Sequence, residues 1–117
     1  MTISRGDVWL VNLDPTVGDE IRKVRPAAVV SRDAVGILAL RVIVPITAWQ
    51  DRFQVSDWLV RLDPDPTNGL DKPSAADTLD TLQVRSLSTR RFVRQLGRLS
   101  DADLQRVAAG LKVVLDL

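Results

Sequence analysis

Thirteen of the sixteen cationic side chains in this 117-residue chain are arginine, and they are unevenly placed. Arg85, Arg90, Arg91, Arg94 and Arg98 fall in one stretch without an acid, and Arg22, Lys23 and Arg25 form a second basic group. A guanidinium is planar, always charged and able to donate two parallel hydrogen bonds to phosphate, so such groups favour a nucleic acid as partner. On charge alone, a solvated and partly acid-paired face is an equal reading, because acids gather at Asp63 and Asp65, Asp77 and Asp80, and Asp101 and Asp103. The chain has no histidine, which removes Ser-His-Asp and Cys-His arrangements and the imidazole acid–base pair common in ribonucleases. Without cysteine there is neither a disulfide nor a thiolate metal site, and carboxylates alone make a poor zinc site. Any catalysis must run on arginine, carboxylates, hydroxyls or backbone dipoles, and neither a metal nor a cofactor is expected.

These groups must be held by a small fold. The length suits one domain spanning residues 1–117, and 45% hydrophobic with 26% charged residues describes an ordinary globular chain. No apolar run approaches the roughly 20 residues that cross a bilayer, and the first six residues hold no signal-like apolar block. The expected location is the cytoplasm, with no membrane as partner. Strands are expected at residues 7–13, 26–31, 37–46, 56–62, 78–87 and 92–98, from their alternating or continuous apolar runs. Residues 14–25 read as a long polar loop, residues 47–52 as a turn, and the run Asp63-Pro64-Asp65-Pro66-Thr67-Asn68-Gly69 as a soft loop reaching Pro73. Ser100 caps a C-terminal helix with Asp103 at the capping-box position, and Leu104, Val107, Ala108, Leu111 and Leu115 share a packing face. The sum is a mainly β protein, a small and partly open β-barrel with a helix packed on it. The tripeptide Arg5-Gly6-Asp7 spells an adhesion motif, but the start of a strand is the better reading.

Three landmarks in order then carry a resemblance. The first is Gly6-Asp7-Val8-Trp9-Leu10-Val11-Asn12-Leu13-Asp14-Pro15-Thr16, followed by Gly18-Asp19-Glu20 and Arg25-Pro26-Ala27-Ala28-Val29-Val30-Ser31. The second is Val44-Pro45-Ile46-Thr47. The third is Gly69-Leu70-x-Lys72-x-Ser74 leading to Gln83-x-Arg85. Together they resemble the MazF/PemK family of toxin endoribonucleases over nearly the whole chain. The resemblance implies an SH3-like barrel of the MazF/CcdB type, a homodimer, and a groove for single-stranded RNA. It also implies metal-independent, sequence-specific cleavage to 2′,3′-cyclic phosphate and 5′-hydroxyl ends, and a cognate antitoxin whose tail fills the same groove.

Site residues follow from that resemblance. Arg25 matches the catalytic arginine, and it stands where a loop meets a strand, so its side chain can be held firmly against a phosphorane. Thr47 matches the hydroxyl after Pro-Ile, and Glu20 matches the loop carboxylate that is available as a base. Gln83, Arg85 and Ser86 match the strand lining the RNA groove, where Gln can read base edges and Arg can hold phosphate or stack. Lys23 joins them through the basic loop, and Trp49 is the stacking candidate, while Trp9 and Trp58 are expected in the core. Arg90, Arg91 and Arg94 are expected at most to steer charge. Asp19 departs from the usual serine and brings a second negative charge near the phosphate. Leu82 occupies a position where some members carry an acid. Two rivals remain at this level. One is a binding-only toxin of the same barrel, like the gyrase poison CcdB, although its terminal Trp-Gly-Ile is replaced here by Leu115-Asp116-Leu117. The other is an inactive RNA-binding relative, against which Arg25 and Thr47 argue.

Overall fold

The computed structural model describes residues 2–35, 37–70 and 77–117. Its strands are β1 (Asp7–Asn12), β2 (Val24–Val29), β3 (Leu40–Ala48), β4 (Leu59–Leu62), β5 (Asp77–Asp80), β6 (Arg85–Ser88) and β7 (Phe92–Arg98), followed by the helix α1 (Asp101–Leu115). All pairings are antiparallel, in the order β4-β5-β3-β2-β1-β7, with β6 on β3 beside β5. Among the described residues the end strands β4 and β7 do not pair, so the barrel is open.

The continuous apolar runs of β2 and β3 arise because both sheet faces are covered. Val8, Ala28, Val44 and Ile46 point to one core, which α1 closes with Val107 and, at its edge, Leu104 and Leu111. Trp9, Val11, Ala27, Val29 and Ile43 point to a second core with Leu87 and Phe92. The α1 packing is close: a Cβ on Gly110 would lie 2.9 Å from Cγ2 of Thr81. Ser100 caps the helix by accepting from the Asp103 N–H at 3.1 Å, as the sequence indicates. Trp9 is buried, edge-on to Phe92 at 5.6 Å; Trp58 is only partly buried.

Several expected boundaries move, each for a local reason. The strand at 26–31 begins two residues early: Lys23, at φ +70°, turns the chain and accepts the Leu13 N–H at 2.9 Å, so Val24 and Arg25 already pair with β1. The run at 37–46 is not buried throughout, since Ile37 is 92% exposed, and β3 instead extends to Ala48 through pairing with β5. Thr47 is therefore a strand residue opposite Thr78, not part of a turn. The expected strand at 78–87 is broken at 81–83 because Asp80 accepts the Leu82 N–H at 3.1 Å and the Thr81 hydroxyl donates to the Trp58 carbonyl at 2.6 Å. The run at 56–62 is strand only from Leu59. The loop at 63–70 is knit, not soft: Asp65 accepts from the Thr67 and Asn68 N–H groups, and fully buried Asn68 bonds the Asp63 carbonyl and the Leu70 N–H. The expected extension of that loop to Pro73, with Lys72 and Ser74 of the third landmark, lies outside the described residues.

Candidate nucleic-acid-cleaving site

The β2–β3 ladder ends at Ala27 opposite Pro45. Beyond it β2 stays with β1, through Arg25 opposite Val11, while β3 turns to β5, through Ile46 opposite Leu79. Pro26 and Pro45 stand at this divergence, and neither has an N–H with which to extend a ladder. The sheet splits there, and a cavity of about 500 Å³ lies at the split. Arg25 and Pro26 line it from β2, Ile46, Thr47 and Ala48 from β3, Leu10 from β1, and Arg94 and Leu96 from β7. Gly69 and Leu70 complete the wall with Asp77, which is buried. Gly69 has φ +70°, and a Cβ there would sit 2.1 Å from the Leu96 carbonyl oxygen, so only glycine lets this loop close on β7.

Arg25 and Thr47 each lie two residues beyond the Ala27–Pro45 pair, and alternation puts their side chains on the face that Pro45 also uses. Arg25 is exposed, and its Nε donates to the Arg22 carbonyl at 3.3 Å. Its guanidinium makes no ion pair with Asp14 or Glu20. Thr47 is partly buried, and the two residues line the same cavity.

Glu20 is not in that cavity. It lines a neighbouring one of about 360 Å³ with Ile21, Pro45, Leu82, Gln83, Val84 and Arg85. The two cavities flank the consecutive residues Pro45 and Ile46. Glu20 Oε1 accepts the Val17 N–H at 2.8 Å, closing its own turn. Gln83 is tied to the loop that carries Glu20: its Oε1 accepts from the Ile21 N–H, and its Nε2 donates to the Asp19 carbonyl and to Asp80 Oδ2. Arg85, partly buried, donates to the Leu13 carbonyl at 3.2 Å. Both therefore support the loop in the isolated chain, a role the sequence does not reveal.

Three expected RNA-contacting residues lie apart. Ser86 pairs with Val42, so it faces away from Arg85, in a small cleft with Ser31 and Leu40. Trp49 follows β3, edge-on to Phe53 at 5.8 Å, with the Arg61 guanidinium 5.5 Å from its ring centre. Its indole N–H is buried without a partner among the described residues. Lys23 contributes the backbone turn described above, and its side chain is exposed. Two further residues belong to the site's surroundings: Arg94, expected at most to steer charge, and Asp80, given no site role by the sequence. Arg94 lines the larger cavity, and Asp80 anchors Gln83. Burial holds the Asp80 carboxyl above its usual range, with the Leu82 and Gln83 donors partly opposing the shift.

Arg5-Gly6-Asp7 is structural, as expected of a strand start. Asp7 is 2% exposed, accepts from Arg98 Nη1 at 2.6 Å and also from the Ser4 N–H and the Trp9 indole.

Comparison with known proteins bears on the fold and the family. Endoribonuclease MazF9 of Mycobacterium tuberculosis is 37% identical over 97% of this chain and 96% of its own. A MazF structure from Deinococcus radiodurans superposes with a TM-score of 0.81 at 24% identity, covering 100% of this chain and 99% of that one. An endoribonuclease from a mycobacterial species, solved in complex with its cognate antitoxin, superposes at 0.74 with 19% identity over 99% and 97% of the two chains. The model of the PemK-like, MazF-like toxins of type II toxin–antitoxin systems matches residues 4–115, which includes every landmark and both cavities. With that match and the identity to a full-length relative, this chain belongs to the PemK-like, MazF-like toxin family of type II toxin–antitoxin systems.

Proposed function

We propose that this chain is a toxin that cuts single-stranded RNA by transesterification, with Arg25 and Thr47 at the scissile phosphate. The observation that carries the reading is their meeting in one cavity at the split between β2 and β3. The ribose 2′-oxygen attacks the adjacent phosphorus, the bond from phosphorus to the 5′-oxygen breaks, and a 2′,3′-cyclic phosphate and a 5′-hydroxyl result. Negative charge grows on the non-bridging oxygens, where a guanidinium and a hydroxyl donate hydrogen bonds that strengthen toward the transition state. Glu20 takes the 2′-hydroxyl proton at Oε2, since Oε1 already accepts the Val17 N–H. The scissile phosphate sits over Pro45 and Ile46, where the two cavities adjoin, with its 2′-hydroxyl on the Glu20 side, and solvent supplies the proton to the leaving oxygen. The family resemblance implies that the reaction proceeds without a metal.

A cognate antitoxin is the expected protein partner, by analogy with the mycobacterial relative solved with its own. Two copies form the active unit, and the cytoplasm, where RNA is met, is the site of action. Incubating the purified protein with cellular RNA in excess EDTA, then mapping the new 5′ ends, tests the reading. Cuts at one short sequence carrying 5′-hydroxyls support it. Cleavage that stops in EDTA and returns with magnesium overturns the metal-free route.

A further inference from the structure

We infer that Arg94 is a second phosphate-binding residue of the cavity at the sheet split, holding the phosphate next to the one engaged by Arg25. The inference rests on the RNA-cleaving reading above. Within the acid-free stretch 85–98, most arginines are already engaged. Arg85 bonds the Leu13 carbonyl, Arg91 the Asp14 carbonyl, and Arg98 the buried Asp7. Arg94 is exposed, its side chain has no hydrogen bond or ion pair among the described residues, and unlike Arg90 it lines the cavity.

The register explains its position. Arg94 lies opposite Leu10, and Leu10 lies opposite Pro26, so the three form a row across β7, β1 and β2. Arg25, the neighbour of Pro26, enters the same cavity where β2 parts from β3. Two arginines thus line one cavity from different strands, and among the described residues Asp77 is the one acid in its lining. Besides Thr47 and Asp77, the rest of the lining is largely apolar, through Leu10, Pro26, Ile46, Leu70 and Leu96. Such a wall suits a ribose or base, and it limits the water competing for the phosphates on either side, which strengthens charge-assisted hydrogen bonds. The volume, about 500 Å³, is within the range of pockets that hold small ligands. A polyanion with regularly spaced phosphates and apolar faces is the ligand this lining fits.

The test uses an RNA oligonucleotide carrying the mapped cut site. Arg94→Ala raises KM roughly tenfold, the scale of one charge-assisted contact, and leaves kcat within about twofold. The slope of log KM against log salt falls by about 0.7, as one released counterion requires for a single strand. Arg94→Lys keeps the charge and restores the salt slope, but recovers KM only in part because it lacks the planar fork. A merely structural role would shift the unfolding midpoint and leave the salt slope unchanged. Arg94→Ala with wild-type KM and salt slope overturns the inference, as does a loss confined to antitoxin binding. Wild-type protein that cuts no RNA overturns the cleavage reading and this inference with it.

Discussion

The side-chain carbonyl of Gln83 accepts a hydrogen bond from the backbone N–H of Ile21 at 2.5 Å, joining residues 62 positions apart. The other end of the same amide donates to the Asp19 carbonyl at 3.4 Å and to Asp80 Oδ2 at 3.2 Å. The long loop after β1 is thereby pinned on both sides of Glu20. Gln83→Ala is expected to lower stability by about 1–2 kcal/mol, measured by urea unfolding, because a partly buried donor loses its acceptor. It also lowers kcat, since Glu20 loses its support. Gln83→Glu keeps the acceptor for Ile21 but sets a second carboxylate beside Asp80, so it does not rescue the loss. A Gln83→Ala protein with unaltered stability would show that the staple does not hold the loop.

Thr47→Val isolates the hydroxyl. The Thr47 side chain makes no hydrogen bond among the described residues, and it lines the cavity from the end of β3, so its loss orphans no buried partner. The expected result is a fall in kcat of about 10²-fold, the scale of one preorganised donor, with an unchanged melting temperature. Undiminished turnover would remove Thr47 from the reaction.

Asp80 gives the stability a pH dependence of known sign. Burial raises its folded-state pKa above the ordinary 3.8, so in the window above that value the folded chain holds a proton that the unfolded chain has released. Stability falls as pH rises through this window. In Asp80→Asn this dependence is absent, although a hydrogen bond is also lost. Denaturation midpoints compared between pH 4 and 7 should therefore shift in favour of the variant as pH rises, about in step with the raised pKa. A difference between the two proteins that is constant with pH contradicts the assignment.

Asp7 anchors the first strand through Arg98, the Ser4 N–H and the Trp9 indole, and it is buried while Arg98 remains accessible to water. Asp7→Ala is expected to cost about 2–4 kcal/mol in chemical denaturation, since three donors lose one acceptor. A loss below about 1 kcal/mol would mean that these contacts contribute little beyond their exchange with water.

Much of this arrangement is legible in the sequence, for identifiable reasons. The capped helix from Asp101, the strand at residues 92–98 and the burial of Trp9 follow from capping and alternation that need only near neighbours. Arg25 and Thr47 are named through family motifs, and both line one cavity. The extension of β3 to Ala48 is not legible, because pairing with β5, thirty residues away, overrides the polar character of the turn. Gln83 reads as an ordinary strand polar residue until the loop packs on it. Arg94 reads as one of several arginines until the register of β7 on β1 directs it to the cavity. Ser86 follows Arg85 in sequence, yet strand alternation turns it to the opposite face.

In the proposed reaction the Arg25 guanidinium stabilises the charge that develops on the cleaved phosphate. The decisive measurement is the single-turnover cleavage rate of wild type and Arg25→Ala on the same mapped oligonucleotide, with thermal unfolding run in parallel. The side chain is exposed and its one hydrogen bond is local, so the fold should be unaffected. The predicted result is a rate lower by about 10²–10³-fold at an unchanged melting temperature. Cleavage by Arg25→Ala at the wild-type rate and the same position would contradict the account.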